Sequence, residues 1–153
     1  MAGVVFLFIG KTKEGFIRDG IEKYARLAGH YLPVDIREIK GATAKDPDAA
    51  KEEEAESVLG RLSPGDIVVL LDEHGKNPVS VDFAAEMGRL IEQGRRTVFV
   101  IGGPFGLSDK LRRRADYLLS LSRLTFTHEM ARLILLEQVY RAMTILKGKT
   151  YHY

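Results

Sequence analysis

The chain has 153 residues, 45% of them hydrophobic, which suits one compact domain over residues 1–153 that buries about two thirds of its unfolded surface. It contains no cysteine, which excludes a disulfide framework and a thiolate metal site. Its four histidines show no ligand spacing, so we expect no metal site. The net charge of +2 does not by itself require a nucleic acid partner.

The charge is unevenly distributed along the chain. Residues 1–97 hold 14 Lys/Arg against 17 Asp/Glu, whereas residues 98–153 hold 9 against 4. The C-terminal part would therefore favour a polyanionic substrate, although such an asymmetry is common in ordinary domains.

The N-terminal run VVFLFIG is apolar throughout. It is too short to span a membrane and lacks the basic region and cleavage pattern of a signal peptide. We therefore expect a buried first strand, no membrane association and a cytoplasmic protein.

Apolar runs predict five strands, which are Val4–Ile9, Val34–Lys40, Ile67–Leu71, Val98–Ile101 and Tyr117–Leu121. The second run alternates apolar and charged residues, which is typical of a half-exposed strand near the edge of a sheet. The third run leads into a polar segment, Asp72–Lys76, which is expected to be a loop.

Helical periodicity predicts five helices between and after these strands. They run from Phe16 to near Gly29, after the Asp46-Pro47 cap, from a Ser80 cap to Gly94, from a Ser108 cap to Ala115, and from about Glu129 to Lys147. The acidic run Lys51–Glu56 is interpreted as a solvated face. Strands alternating with helices predict an α/β fold with a mainly parallel sheet.

The last helix is apolar over most of its circumference, so it must be buried on more than one side. In a domain of this size, a subunit interface is the expected second side.

Two loops stand out as a candidate binding site. The run TVFVI leads into GGPFGLS, and YLLSL leads into SRLTFTHE, so both loops should reach the carboxyl edge of the sheet, where open α/β sheets bind ligands. The glycines would let the backbone lie close to a ligand, and the second loop could enclose an aromatic group. Each loop could also be a plain strand-to-helix connection, the second capped by Thr127.

Several polar residues near the C-terminus admit two interpretations. Glu137 and Arg141 stand at i, i+4, where an ordinary solvated pair is common. His128 suits a cap region without a further role, and 151–153 (YHY) suits a frayed tail, although its aromatic rings and imidazole could instead stack on a base.

The segments VVLLDEHGK, IGGPFGLS and LSLSRLTFTHEMARLILLEQVYRA, followed by a terminal YHY, together resemble a known family. The chain resembles, over its whole length, the small SPOUT-class enzymes that methylate N3 of a pseudouridine in bacterial 23S ribosomal RNA. This resemblance implies a parallel-sheet α/β fold with a C-terminal deep trefoil knot, and a homodimer packed through the knot.

The resemblance also implies S-adenosylmethionine as the cofactor. The matching cofactor-binding positions are Leu71, Gly102, Leu121, Ser122, Arg123, Leu124, Thr125 and Phe126. The matching acceptor-site positions are His128, Glu137, Arg141, Tyr151 and His152, with the tail completing the partner subunit's site. The chain ends in Tyr153, where many members of the family have a basic residue.

The mechanism that we expect from this resemblance is in-line transfer of the sulfonium methyl group to N3. His152 is the candidate base and Arg141 the candidate cation, which Glu137 would orient. Two alternatives remain at this point: a SPOUT methyltransferase acting on tRNA or on another rRNA position, and a non-catalytic protein that binds the ribosome.

Overall fold

The computed structural model describes residues 2–152 and confirms the predicted α/β fold. The strands are β1 (Val4–Ile9), β2 (Val34–Ile39), β3 (Ile67–Lys76), β4 (Thr97–Ile101) and β5 (Tyr117–Leu119). The helices are α1 (Gly15–Ala28), α2 (Pro47–Leu59), α3 (Ser80–Glu92), α4 (Asp109–Arg114) and α5 (His128–Leu146).

The five strands form one parallel sheet in the order β2-β1-β4-β3-β5. Strand β2 lies at one edge and alternates between exposed and less exposed residues, as its pattern predicts. Strands β1 and β4 lie inside the sheet and are buried along their whole length. Because all strands run the same way, the loops after β3, β4 and β5 meet at one edge.

Helices cover both faces of the sheet. Helices α1, α3 and α5 pack on one face, where the rings of Phe6 and Phe99 stack with centroids 5.3 Å apart. Helices α2 and α4 pack on the other face through side chains such as Val58 and Leu111. This three-layer arrangement explains why the central strands are apolar on both faces.

Helix α5 packs between α1 and α3 of the same chain. Both neighbours approach closely through glycines: a Cβ on Gly20 would lie 2.6 Å from Leu133, and one on Gly88 would lie 3.2 Å from Leu146. These neighbours cover much of the apolar circumference, so the composition of α5 does not require a subunit interface. The homodimer and the trefoil knot stay predictions.

Two local predictions about this sheet and its helices are wrong. The segment Asp72–Lys76 is not a loop but the second part of β3, where Lys76 pairs with Leu119 after an irregularity. The polar composition misled the prediction, because this part of the strand pairs only on the β5 side. Ser80 does not cap α3: the cap is Val79, and the Ser80 hydroxyl donates to Gln138 Oε1 at 2.8 Å.

The interpretation of Lys51–Glu56 as a solvated face is also incomplete. Glu54 is only 4% exposed, and Glu52 accepts a hydrogen bond of 2.9 Å from the Ser108 hydroxyl. Lys110 forms ion pairs with Glu52 and Glu56. The acidic run of α2 therefore docks α4 and the loop that precedes it.

Gly75 offers a test of the contact between β3 and β5. A Cβ at this position would lie 2.5 Å from backbone atoms of Leu118, which cannot rotate away. We expect Gly75→Ala to lower the free energy of unfolding by about 1–3 kcal/mol, as overpacking does elsewhere. Urea denaturation measures this change. The matched control is Gly65→Ala, where nothing lies within 4 Å and the expected change is within about 0.5 kcal/mol; equal effects would contradict the close packing.

Candidate active site

Two adjoining cavities lie at the carboxyl edge of the sheet. The loop cavity, of about 170 Å³, is lined by Leu71, Asp72, Glu73, Leu119, Ser120, Leu121, Ser122, Leu124, Thr125, Phe126 and Ala131. The glycine cavity, of about 270 Å³, is lined by Leu71, Asp72, Glu73, Ile101, Gly102, Gly103, Gly106, Leu107, Arg112 and Phe126. The two predicted loops therefore meet in one continuous site, as the sequence indicates.

The predicted cofactor positions fall on these walls, with one exception. Six of them line the loop cavity, namely Leu71, Leu121, Ser122, Leu124, Thr125 and Phe126. Gly102 lines the glycine cavity. Arg123 is exposed and lines neither cavity. Contact of these residues with a cofactor stays a prediction.

Short-range hydrogen bonds shape the loop after β5. The Ser122 hydroxyl accepts from the Leu124 N–H at 2.9 Å, and the Ser122 carbonyl accepts from the Ser120 hydroxyl at 2.9 Å. The Asn77 amide holds the start of the loop by donating to the Ser120 carbonyl at 2.9 Å. This geometry leaves Leu124 75% exposed at the cavity mouth, where a planar apolar ligand could cover it.

A carboxylate, Asp72, stands on the wall shared by both cavities. It is buried, and its Oδ2 accepts from Arg112 Nε at 2.9 Å while its Oδ1 accepts from the His74 N–H at 3.1 Å. Burial by itself raises the pKa of Asp72, but the two donors outweigh it and the pKa is lowered. Asp72 is therefore ionised at neutral pH, and its charge is paired with that of Arg112, which also lines the glycine cavity.

The glycine loop, residues 102–107, makes a tight turn. Gly106 has a φ of +90°, which favours glycine, and its N–H donates to the Gly103 carbonyl at 3.3 Å. Ser108 then caps α4 by accepting from the Lys110 N–H, as predicted. A Cβ on Gly102 would lie 2.8 Å from Leu107, so the turn is closely packed against its own end.

Four of the predicted acceptor-site residues form a separate cluster between α5 and the C-terminal tail. Glu137 Oε2 accepts from Arg141 Nη2 and from the Tyr151 hydroxyl, both at 2.8 Å. The Arg141 guanidinium lies 4.8 Å from the centre of the Tyr151 ring, and its Nη1 lies 3.0 Å from His152 Nδ1. The ion pair of Glu137 and Arg141 is thus half-buried and contacts both Tyr151 and His152 of the tail. It is not an ordinary solvated pair.

The interpretation of the tail as frayed is wrong for Tyr151. Its ring meets that of Tyr140 edge-on with centroids 4.7 Å apart. Burial and the hydrogen bond to Glu137 raise the pKa of the Tyr151 phenol, so it stays a hydrogen-bond donor. Tyr153 lies outside the described residues.

His152 is exposed and makes its contact through Nδ1. Since a guanidinium only donates, Nδ1 of His152 must accept from Arg141, and the ring proton then sits on Nε2. This contact aligns the imidazole with the Arg141 guanidinium. The contact also occupies the lone pair of Nδ1, which becomes free only when Arg141 turns toward another acceptor.

His128 does not join this cluster. It lies in the first turn of α5, nine residues before Glu137, which is about 13 Å along a helix. Burial, and then the charge of Arg132, lower the pKa of His128. Within one chain, His128 therefore lies at the end of α5 that adjoins the loop after β5, whereas the other four predicted residues lie toward its far end.

Sequence reasoning missed Arg132, whose side chain is fully buried. Its Nη2 donates to the Ile9 carbonyl at 2.7 Å, its Nη1 donates to the Thr12 hydroxyl at 2.9 Å, and its guanidinium lies 4.9 Å from the Phe8 ring centre. Arg132 thus fixes α5 to the end of β1. A lone cation within the apolar stretch of α5 was the available signal.

A third cavity, the helix cavity, was also missed. It has a volume of about 410 Å³ and lies between the loop after β5 and helices α3 and α5, lined by Pro78, Val79, Ser80, Phe83, Leu119, Ser120, Leu121, Phe126, Ile134 and Gln138. The Gln138 amide donates to Glu137 Oε1 at 2.8 Å. This cavity therefore links the loop after β5 to the C-terminal cluster.

Over residues 2–152, no group of three or more His, Asp or Glu side chains lies close enough together to hold a metal ion. No helix in that range is both long and apolar enough to cross a membrane.

A family model described as Predicted SPOUT methyltransferase matches residues 3–152. The chain belongs to the SPOUT methyltransferase family. It is 44% identical over 151 residues to Ribosomal RNA large subunit methyltransferase H of Bacteroides fragilis, with 96% of each chain covered. It is 42% identical over 151 residues to the protein of the same name in Pseudothermotoga lettingae, which covers 98% of this chain and 99% of that one.

A solved structure agrees with this placement at the level of the fold. The structure of a probable methylase family protein from Haemophilus influenzae matches with a TM-score of 0.58 and 12% identity, covering 99% of this chain and 71% of that chain. The resemblance on which the SPOUT assignment rested is thus confirmed.

The ion pair on the shared cavity wall gives a pH-dependent prediction. We expect Asp72→Asn to cost about 1.5–3 kcal/mol of unfolding free energy at pH 7, because Arg112 loses a charged acceptor. Since the native pKa of Asp72 is lowered, this stabilisation is full above the unfolded value of about 3.9 and is lost as pH falls through the lower native value. Urea denaturation across pH 3 to 7 should show the gap between variant and wild type closing on the acid side.

The control for this series is Asp109→Asn, which removes the exposed partner of the same arginine. We expect a change within about 0.5 kcal/mol at every pH. A gap between Asp72→Asn and wild type that is independent of pH would contradict the role of the buried carboxylate.

Proposed function

We propose that this protein transfers a methyl group from S-adenosylmethionine to ribosomal RNA of the large subunit, at N3 of a pseudouridine. The carrying observation is the 44% identity, over 96% of both chains, to a protein named Ribosomal RNA large subunit methyltransferase H. The acceptor nucleotide is the one implied by the resemblance of IGGPFGLS, LSRLTFTHE and the terminal YHY segment.

The residues at the sheet edge fit this cofactor. Leu71, Leu121 and Phe126 supply apolar walls for an adenine ring, while the loop backbone supplies groups that can read its edge. Glu73 lines both cavities, and a carboxylate there favours the positive charge of a sulfonium, whereas the charge of Asp72 is paired with Arg112. When bound, S-adenosylmethionine supplies a methyl group on a good leaving group.

The C-terminal cluster supplies the groups needed at the acceptor nitrogen. Arg141 is a cation that can stabilise a nucleobase anion, and Glu137 and Tyr151 hold its guanidinium in place. His152 is the candidate base, because its Nδ1 can accept a proton and lies 3.0 Å from Arg141 Nη1. If Arg141 turns toward the developing anion, Nδ1 of His152 is released to take the N3 proton.

A homodimer with composite sites accounts for the separation within one chain. The loop after β5, which we call the cofactor loop, precedes α5, whereas Arg141, Tyr151 and His152 lie toward the other end of this helix. An antiparallel partner would bring its own tail beside the cofactor loop and His128. The cytoplasm, where ribosomes are assembled, is the matching location.

Methyl transfer itself is tested with labelled S-adenosylmethionine and ribosomes from a strain that lacks the native modification. We expect label at a 23S pseudouridine. Label in tRNA or at another rRNA position would indicate that the protein is a SPOUT methyltransferase with a different RNA target. A protein that binds ribosomes but is not stabilised by S-adenosylmethionine would instead be a non-catalytic ribosome-binding protein.

The roles of the tail are tested by single-turnover rates at saturating ribosome. We expect His152→Ala and Arg141→Ala each to lower the rate about 100-fold or more, because one removes the base and the other the cation. The control is His30→Ala, an exposed histidine after α1, which should keep the wild-type rate. A near wild-type rate for His152→Ala would show that another group removes the proton.

Composite sites predict that two inactive variants restore each other. Phe126→Ala damages the cavity walls and His152→Ala damages the tail, so a mixed dimer would keep one intact site. After subunit exchange, an equal mixture should recover about a quarter of wild-type activity, as statistical pairing in a symmetric dimer requires. No recovery, despite exchange shown by mass spectrometry, would place each complete site within one chain.

A further inference from the structure

Glu54 on helix α2 is a buried carboxylate that the proposed mechanism does not use. The residue is 4% exposed, and its Oε2 accepts a hydrogen bond of 3.2 Å from the Ala42 N–H. Its Oε1 is buried and has no hydrogen-bond partner among the described residues. Burial, partly offset by the bond from Ala42, raises the pKa of Glu54.

A buried acceptor without a partner destabilises a folded protein, so it needs an explanation. The other carboxylates of the same acidic run are accounted for. Glu52 and Glu56 hold Ser108 and Lys110, and Glu53 accepts from Thr43. The fold does not use Oε1 of Glu54 in the same way.

The carboxylate of Glu54 lies beside the glycine loop. A Cβ placed on Gly103 would lie 3.2 Å from both carboxylate oxygens, a tight contact, so the glycine at 103 leaves room for the carboxylate against the loop backbone. The same Gly103 lines the glycine cavity together with Gly102 and Gly106. Glu54 and this cavity therefore lie against one short piece of backbone.

That piece of backbone has free donors. Neither the N–H of Gly103 nor that of Phe105 donates a hydrogen bond within residues 2–152, and Pro104 between them has no N–H. The end of the loop is fixed by the bond between Ser108 and Glu52. One of these donors would meet Glu54 if the backbone between Gly102 and Phe105 rotated as the loop closes.

We infer that Glu54 is a positioning residue for cofactor binding: its Oε1 accepts a backbone N–H of the glycine loop when that loop closes on S-adenosylmethionine. This inference rests on the proposed function, since it assigns Glu54 to the same cofactor site. In the complex with S-adenosylmethionine, Oε1 of Glu54 gains the hydrogen bond that it lacks in the free protein. Part of the binding free energy therefore comes from α2, which lies behind the glycine loop.

Glu54→Gln tests this role and keeps the size of the side chain. If the Gln oxygen accepts from Ala42, its amide group faces the loop and cannot accept an N–H. We expect the dissociation constant for S-adenosylmethionine, measured by calorimetry, to rise about tenfold, the effect of one charge-assisted hydrogen bond. KM for S-adenosylmethionine should rise equally, with kcat within about twofold of wild type.

The melting temperature of the cofactor-free protein separates positioning from simple structural support. We expect Glu54→Gln to melt at the wild-type temperature or above, because it removes a buried charge. The matched control is Glu53→Gln, an exposed neighbour on the same helix, which should bind the cofactor as wild type does.

Two results would overturn the inference while leaving the proposed function intact. One is wild-type affinity in Glu54→Gln, and the other is weaker binding accompanied by a lower melting temperature without cofactor. If wild-type protein itself fails to bind S-adenosylmethionine, the proposed function fails, and this inference fails with it.

Discussion

The buried guanidinium of Arg132 joins helix α5 to the end of strand β1, and both halves of the site depend on this attachment. It donates to the Ile9 carbonyl and the Thr12 hydroxyl and lies beside the Phe8 ring. A buried cation with directed partners permits few other arrangements of the helix. This attachment therefore fixes the position of the loop before α5 relative to the cluster near the C-terminal end of the helix.

The parallel sheet supplies the second constraint, because it delivers three loops to one edge. Strand β3 lies between β4 and β5, so Asp72 and Glu73 stand between the glycine loop and the loop after β5. Gly75 permits the close approach of the backbone at Leu118, which a Cβ would block. Glycines 102, 103 and 106 form part of the wall of the glycine cavity, whereas apolar side chains such as Leu121 and Phe126 line the loop cavity.

The basic C-terminal part of the chain is less available to a polyanion than its composition indicates. Arg112, Lys110 and Arg141 are held in ion pairs with acidic residues, and Arg132 is buried. What this part presents instead is an ordered cluster in which Glu137, Tyr151 and Arg141 support one another. This cluster is distinguished by the fixed orientation of its side chains more than by net charge.

The local sequence pattern determined the five strands, the five helices and the two loops. Burial of a strand in a sheet and the capping of helices by Ser108 and Thr127 leave such a pattern, because both depend on residues that are neighbours in the sequence. Only tertiary structure decided that Asp72–Lys76 continues β3, that Glu54 is buried against Gly103, and that Arg132 anchors α5. These three features depend on contacts between residues that are far apart in the sequence. The position of a polar residue in a sequence pattern does not indicate which distant residue it will contact. The motifs predicted the site residues, whereas folding placed His128 apart from His152.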